Sequence, residues 1–350
     1  MEIYFLDADF AVCGGPYDEL RSVCFSEKYF SCGSFTLHMP RELFREAAEA
    51  VYVRTGFSES GVKCGRIEYV LADEDGGCEV GGIMLEGILG DRVLMGKGCI
   101  SGTVTEAVIG AVSENLRGCG VTVGECAELD DEAVLTYEWD NLSDWLYSVL
   151  RPYGASYRIT LDGGTNRPVF GIVCGTDRST PDEGGAYNPW QAVFSTSFGN
   201  LLSAAYSRST LEMKNVVYVE GPDGTVVRAG EDAGCLREMH KRVTDVDPED
   251  FDTDEKYRAA LLARGSEILA KHRAAVTVEA AADPAVDPEY GRDYSLGDIC
   301  DVADAELGLS FGVRLVAVDE VWESGSFMRY PYFGDEIRSI RRLIRGGRDE

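Results

Sequence analysis

Polar and apolar residues alternate at period two near both ends of this 350-residue chain, and in two places between them the period lengthens to three and four. Alternation puts successive side chains on opposite faces of a strand, whereas the longer spacing makes one stripe along a helix. In the first hundred residues the stretches 2–10, 23–30 and 35–39 predict short strands, separated by Gly-Pro or Cys-Gly. Residues 40–53 place Leu43, Ala47, Ala50 and Val51 on one helical face. The stretches 66–72 and 79–89 return to the strand pattern on either side of Asp73-Glu74-Asp75-Gly76-Gly77, a turn by composition. Short strands with regular turns predict a small barrel or sandwich over residues 1–100.

Residues 101–178 mix the two periods. Thr103 with Glu106 three residues on is a capping box, in which each side chain satisfies the other's free N–H. Val104, Val108, Ala111 and Val112 follow at helical spacing, and Gly118 is placed to stop the helix. A short strand at 121–126 precedes a second helix, capped by Asn141, with Leu142, Trp145, Leu146 and Val149 on one side and Arg151-Pro152 at its end. The stretches 155–161 and 168–174 flank Asp162-Gly163-Gly164, a hairpin signal. This is an α+β unit, and residues 179–189, rich in Gly, Pro and Asp, read as a linker.

The strand pattern resumes at 194–198, 201–213, 215–220 and 225–229. A helix interrupts it: Asp252, with Glu255 three residues on, caps a run carrying Tyr257, Leu261, Leu262, Ile268 and Leu269 that ends near His272. After a strand at 275–280 comes an antiparallel meander over 290–336. Leu296-Gly297-Asp298 reads as a tight turn, because Gly tolerates positive φ and Asp bonds its local backbone. A strand at 299–302 and the break at Leu307-Gly308-Leu309 lead into a long strand, 310–322, with Phe311, Val313, Leu315, Ala317 and Val321 on one face, where Asp319 is the exception, and Arg314 and Glu320 beside Val316 and Val318 on the other, which is expected to be half buried as well. Glu323-Ser324-Gly325-Ser326 turns the chain, and 327–333 returns. The edges of such a meander must be covered. The second β region therefore comprises 190–234 and 275–335, with a helical insertion at 235–274.

Hydrophobic content of 45% with 10% aromatics is that of a globular chain large enough for several cores. No run of eighteen uncharged apolar residues occurs, so no membrane span is expected, and the acidic start with Asp7 and Asp9 is unlike a signal peptide. The formal net charge of −28 repels phosphate backbones, which argues against specific nucleic-acid binding and suits a wall past which DNA slides. Basic residues concentrate only at Arg338, Arg341, Arg342, Arg345 and Arg348, which with Ile337, Ile340, Leu343 and Ile344 read as a short amphipathic helix in the tail 336–350, either a frayed terminus or a segment that docks on a partner. Eleven cysteines without any C-x-x-C exclude a zinc ribbon and a thioredoxin motif and predict free thiols.

The chemistry-bearing residues form no recognisable constellation. His38, His240 and His272 are far apart, and no H-E-x-x-H, G-x-S-x-G or Walker A sequence is present. Cys235 and His240, five residues apart, do not align on a helix, so no catalytic dyad is expected. Gly118-Cys119-Gly120, continuing to Gly124, follows a helix and not the strand a nucleotide loop needs. The acidic run Asp245, Asp247, Glu249, Asp250, Asp252, Asp254 has Asp250 and Lys256 where a calcium loop requires Gly and Glu, and it reads as a solvated loop. Asp130-Asp131, or Glu138 with Asp140, are pairs of the kind a glycosidase uses, but 61 acidic residues produce such pairs by chance. No catalytic, cofactor-binding or metal residue is assigned, and no cofactor is expected.

Four blocks carry a resemblance. Ile83-Met84-Leu85-Glu86-Gly87 with Leu89 and Arg92 is the first, and Gly102-Thr103 opening a Val- and Ile-rich helix the second. Asn215-Val216-Val217-Tyr218-Val219-Glu220-Gly221 is the third. The Ala- and Leu-rich helix at 255–271 followed by the Leu-Gly-Asp meander, with Glu320-Val321-Trp322-Glu323 and Phe333-Gly334, completes the set. In that order and spacing the chain resembles the siphophage tail hub proteins of phages and prophages. The resemblance implies a mainly β, α+β chain with two small β-barrel domains of tail-hub type, decorated by an α+β domain and the helical insertion. It implies a structural virion protein and not an enzyme: a homotrimeric baseplate hub or tail-tip ring that joins tail tube to tip around a channel for DNA. The implied partners are other copies of itself, the tail tube or distal tail protein, and tip or fibre proteins, in a virion tail assembled in the bacterial cytoplasm. Relatives carry fibre-like or lytic extensions, for which little room is expected after Phe333-Gly334. Two other readings stay open: a cell-wall hydrolase using an acid pair, and a carbohydrate- or receptor-binding module using Trp139, Trp145 and Trp190.

Overall fold

In the computed structural model, which describes residues 1–56, 61–72, 76–181, 189–232, 234–282, 286–304, 308–323 and 325–334, the strand Leu309–Glu323 has hydrogen-bonded partners along both edges. One edge meets Ser326–Gly334 antiparallel, from Glu323↔Ser326 to Leu315↔Phe333. The other edge is shared. Its first part pairs with Ile299–Asp304, and its last part pairs with Ser22–Lys28, from Ala317↔Lys28 to Glu323↔Ser22.

The strands of the first hundred residues and those after Trp190 thereby join in one sheet of 13 strands. From Leu309–Glu323 it runs one way through Ser326–Gly334, Ala275–Ala282 and Leu201–Ser209. The other way it runs through Ser22–Lys28, Ser34–Pro40, Gly77–Met84, Cys64–Ala72, Tyr52–Thr55, Ile3–Leu6 and Val12–Tyr17. Val193–Ser195 joins by parallel pairing with Ile299–Asp304. The chain is mainly β with mixed sheets. Among the described residues none of these sheets closes on itself, so the two barrels implied by the resemblance are not found as closed sheets.

Alternation explains the first core. Phe35, Leu37 and Met39 are buried while Ser34 and His38 on the same strand are exposed, and the three pack with Ile3, Phe5, Phe25 and Val80. Each such side chain contributes about 1.5–3 kcal/mol on burial. The second core gathers Phe194, Val278, Tyr294, Leu315, Val318 and Phe333. The second face of the long strand is half buried, as the sequence predicts: Val318 and Glu320 are buried beside the partly exposed Arg314 and Val316, and a register shift interrupts the pairing between Leu315 and Ala317.

In the α+β unit, helices Val104–Asn115 and Leu142–Leu150 share a core with the hairpin Lys97–Thr103/Glu132–Glu138 and the sheet Thr122–Val123, Pro168–Cys174, Ala155–Leu161. The predicted capping box is present: the Thr103 hydroxyl accepts from Glu106 N at 3.3 Å, and the Glu106 carboxylate accepts from Thr103 N at 3.4 Å. Asn141 accepts from Asp144 N at 3.2 Å. The first helix stops at Asn115, three residues before Gly118. The strands Lys97–Thr103 and Glu132–Glu138 are absent from the sequence reading, because their Gly, Ser, Thr and Glu content shows no alternation until they pair.

A third sheet sets Val216–Glu220 between Val226–Gly230, antiparallel, and Glu238–Arg242, parallel. The valines read from sequence as part of the second β region bury here, under helix Asp254–Ala270. Gly265 permits this approach, since a Cβ there would lie 2.6 Å from the Cβ of Ala229. The helix is capped by Thr253 and not Asp252: the Thr253 hydroxyl accepts from Lys256 N at 3.3 Å. The expected turns at 73–77 and 323–326, the break at 307–309 and the linker 179–189 fall partly outside the described residues, and the basic tail 336–350 wholly so.

Thr103→Ala leaves the first turn of Val104–Asn115 without its acceptor and is expected to cost about 1 kcal/mol. The measurement is the urea midpoint, which should fall with the slope unchanged.

Candidate functional site

Three parts of the chain meet at Leu296-Gly297-Asp298. Gly297 has φ 99°, and a Cβ there would stand 2.3 Å from the buried ring of Tyr29, so both the backbone and the space demand glycine. Asp298, only 3% exposed, accepts from Thr176 N at 2.7 Å and Ser295 N at 2.9 Å and binds the Arg178 guanidinium. The Tyr29 hydroxyl accepts from Gly175 N at 3.1 Å and lies 3.0 and 3.1 Å from the carbonyls of Gly154 and Val173. Burial raises its pKa and keeps it a neutral donor. The Ser156 hydroxyl donates to the Tyr29 carbonyl, and Arg314 donates to the carbonyl of Gly297. The turn predicted from sequence thus docks the α+β unit and the first β region onto the second.

Charges are buried at the neighbouring junction between the β regions. Glu320, 4% exposed, accepts from Arg329 at 2.8 and 2.9 Å, and Lys63 Nζ lies 2.7 Å from its other oxygen. Lys63 also binds Glu27, and the Arg329 guanidinium lies 4.8 Å over the Tyr290 ring. Burial pushes the Glu27 carboxyl up, but Lys63, Arg158 and Arg329 together outweigh it and hold the group below its ordinary range. Burial likewise pulls Lys63 down, while Glu27 and Glu320 hold it above its ordinary value. Glu27 and Lys63 therefore stay charged near neutrality. Glu27 and Lys63 come from the first β region, Glu320 and Arg329 from the second.

A cleft of about 540 Å³ separates the α+β unit from helix Asp254–Ala270, with Leu135, Val149, Tyr153, Phe251, Ala259 and Ala263 in its walls. The units are clasped across it by Lys97 to Asp247 at 2.8 Å and by the Thr136 hydroxyl to Asp245 at 3.4 Å.

The structure disperses the residues weighed from sequence as chemistry. His38 lies with Ser22 and Glu79, His240 with Glu220, and His272 with the Glu212 carbonyl. Cys235 is exposed. In the acidic run Asp245 pairs with Arg264, Asp247 with Lys97, Asp252 with Lys256 and Asp254 with Arg258, so the carboxylates turn toward separate cations. Among the described residues no three metal-ligating side chains come together. Asp130, Asp131 and Glu138 are exposed, and Asp140 accepts from Glu138 N in a local turn. Gly118 and Gly120 both take positive φ beyond the helix end. Trp145 is core and donates to the Thr136 carbonyl at 2.9 Å, whereas Trp139 and Trp190 are 60% and 72% exposed. Sequence reasoning missed Tyr29, Glu27 and Lys63; the one available signal was the pair of charges, Arg314 and Glu320, inside an otherwise apolar strand.

Gly297→Ala drives a methyl into the Tyr29 ring at an unfavourable φ and is expected to cost more than about 2 kcal/mol, read as a lowered Tm. Lys63→Met takes the ion-pair partner from Glu27 and leaves Glu320 with Arg329 alone, and is expected to cost about 3 kcal/mol at pH 7. Glu27 contributes above its ordinary pKa of 4.5 and loses that contribution as pH falls through its lower folded value. The Lys63→Met penalty should therefore shrink below about pH 4.5, as the stranded Glu27 carboxylate protonates, in a pH series of urea titrations.

The fold is similar to three solved tail proteins. The tail protein from Neisseria meningitidis MC58 aligns with a TM-score of 0.57 and 14% identity over 96% of each chain. The 43 kDa tail protein of prophage MuSo2 from Shewanella oneidensis aligns at 0.56 and 12%, over 95% of this chain and 98% of that one. Prophage tail protein gp18 from Listeria monocytogenes EGD-e aligns at 0.56 and 13%, over 99% and 98%. At such identities the likeness is one of fold. No curated protein matches. Residues 1–335 match the model of the Siphovirus ReqiPepy6 Gp37-like protein family, and the chain belongs to that family.

Proposed function

We propose that this chain is a structural phage or prophage tail protein, the baseplate hub or tail-tip ring that joins tail tube to tip around a channel for DNA. The observation that carries the reading is family membership over residues 1–335, and the shared tail-protein fold supports it. The role is mechanical. Tyr29, Asp298 and the buried charges at the junction hold three folded parts in one orientation, as a load-transmitting ring requires.

Assembly follows from the sheet. Among the described residues it ends in the edge strands Val12–Tyr17 and Leu201–Ser209, and exposed edges call for cover. Self-association about a rotation axis covers them and closes the contacts. Three copies, each contributing the two halves of its large sheet as barrel-like units, form a pseudo-sixfold ring, with the α+β unit and the helical insertion around it. The net charge of −28 keeps DNA from sticking to the lumen. Neighbours are the tail tube or distal tail protein on one side and tip or fibre proteins on the other.

Light scattering over a concentration series is expected to show three times, or six times for paired rings, the 38.2 kDa mass of the chain. Electron microscopy of that species should show a central hole. A monomer at every concentration, unchanged when the cognate tail tube is added, would sink the ring.

A further inference from the structure

The cleft between the α+β unit and helix Asp254–Ala270 has two apolar walls and too few cations for its carboxylates. On the helix side it is lined by Ala259, Ala263 and Ser266, all exposed, and on the other by the buried Leu135 and Val149. The helix lines it from Lys256 to Glu267, three turns or about 16 Å. Protein contacts fix the walls to each other: Asp245 accepts from the Thr136 hydroxyl of the α+β unit at 3.4 Å and binds Arg264 of the helix at 3.0 Å. Four carboxylates line the cleft, Glu132, Asp250, Asp252 and Glu267, against the single cation Lys256, which Asp252 holds at 3.0 Å. Glu267 meets Arg264 at 2.6 Å, yet burial outweighs that cation and raises the Glu267 pKa above its ordinary value. Positive charge is in deficit here.

We propose that this cleft receives a basic amphipathic helix of another protein, with apolar side chains between the walls and Lys or Arg side chains against the carboxylates. The small residues on the helix side let a second helix approach to about 8–10 Å between axes. Apolar anchors at i, i+3, i+4 and i+7 are the means by which a helix fills such a groove. Charge selects the occupant, because a helix with acidic flanks would add like charge to four carboxylates, whereas a basic one supplies the missing cations. A second copy of this chain offers no such helix among the described residues. Val104–Asn115 and Leu142–Leu150 carry acidic charges alone, and Asp254–Ala270 carries three of each sign and already forms one wall. The occupant is therefore a segment of a different protein, and the proposal stands whether or not three copies form a ring.

The test titrates the full chain into three fluorescent peptides of about 15 residues, the length at which an isolated helix begins to hold in water. The first is built of leucine and lysine with the leucines at i, i+3, i+4 and i+7; the second has the same composition with the leucines at period two; the third is the first with glutamate for lysine. Saturable binding of the first is expected, with both others weaker by at least about tenfold. Binding should also slow the alkylation of Cys99, in the cleft wall, and leave the exposed Cys13, Cys174 and Cys235 unchanged. Ala263→Trp fills the cleft from an exposed position and should weaken the first peptide by at least about tenfold. Asp250→Lys with Asp252→Lys reverses the charge without touching the apolar walls and should cause the same loss, so a folding defect in one variant leaves the other to decide. No saturable binding, equal binding of either control peptide, no slowing at Cys99, or wild-type affinity in a folded variant overturns the proposal.

Discussion

A carboxylate buried in the middle of a strand must meet cations there, or the strand cannot pair on that side. Glu320 meets Arg329 on the strand Ser326–Gly334 and Lys63 beside the first β region, and Lys63 in turn holds Glu27 on Ser22–Lys28. Replacing such a network with apolar residues often leaves stability unchanged, whereas breaking it is costly, so what it secures is register more than free energy. With the register of Leu309–Glu323 set, its two ends belong to two cores. Leu315 and Val318 pack into the second core, and Trp322 packs against the first with its ring edge-on to Phe25.

The Tyr29–Gly297–Asp298 contact extends that constraint to the α+β unit. Asp298 satisfies the backbone at Thr176 and the side chain of Arg178, where the chain leaves the unit, while Tyr29 reaches Gly154, Val173 and Gly175 within it. Buried polar groups of this kind tolerate few alternative arrangements, because any shift leaves one unsatisfied in a low-dielectric setting. No convergent catalytic group is needed to account for where the buried polar atoms at these two junctions go.

Much of the local structure was legible in the sequence. The capping box at Thr103 and Glu106, the Asn141 cap, the hairpin at Asp162-Gly163-Gly164 and the Leu-Gly-Asp turn each rest on interactions within a few residues, and all are present. The assignment of Val216–Gly230 strands to the second β region missed because alternating valines say only that one face is buried, not under what. Asp252 and Thr253 are both competent caps, and the choice of Thr253 came from where the helix settles on its sheet. The register shift in the long strand between Leu315 and Ala317 is one that only pairing with Ser326–Gly334 reveals.

By itself the sequence determined the strong negative charge, the caps at Thr103 and Asn141, the turns, and the family. These depend on side-chain periodicity, local hydrogen bonding and composition, all of which are properties of neighbouring residues. Only the tertiary structure decided that the two β regions share one sheet through Leu309–Glu323, and that Glu27, Lys63, Glu320 and Arg329 form one charged cluster. It also decided that a cleft opens between the α+β unit and the helix of the insertion. Those features join residues hundreds of positions apart, and nothing in the local pattern of either partner carries the identity of the other.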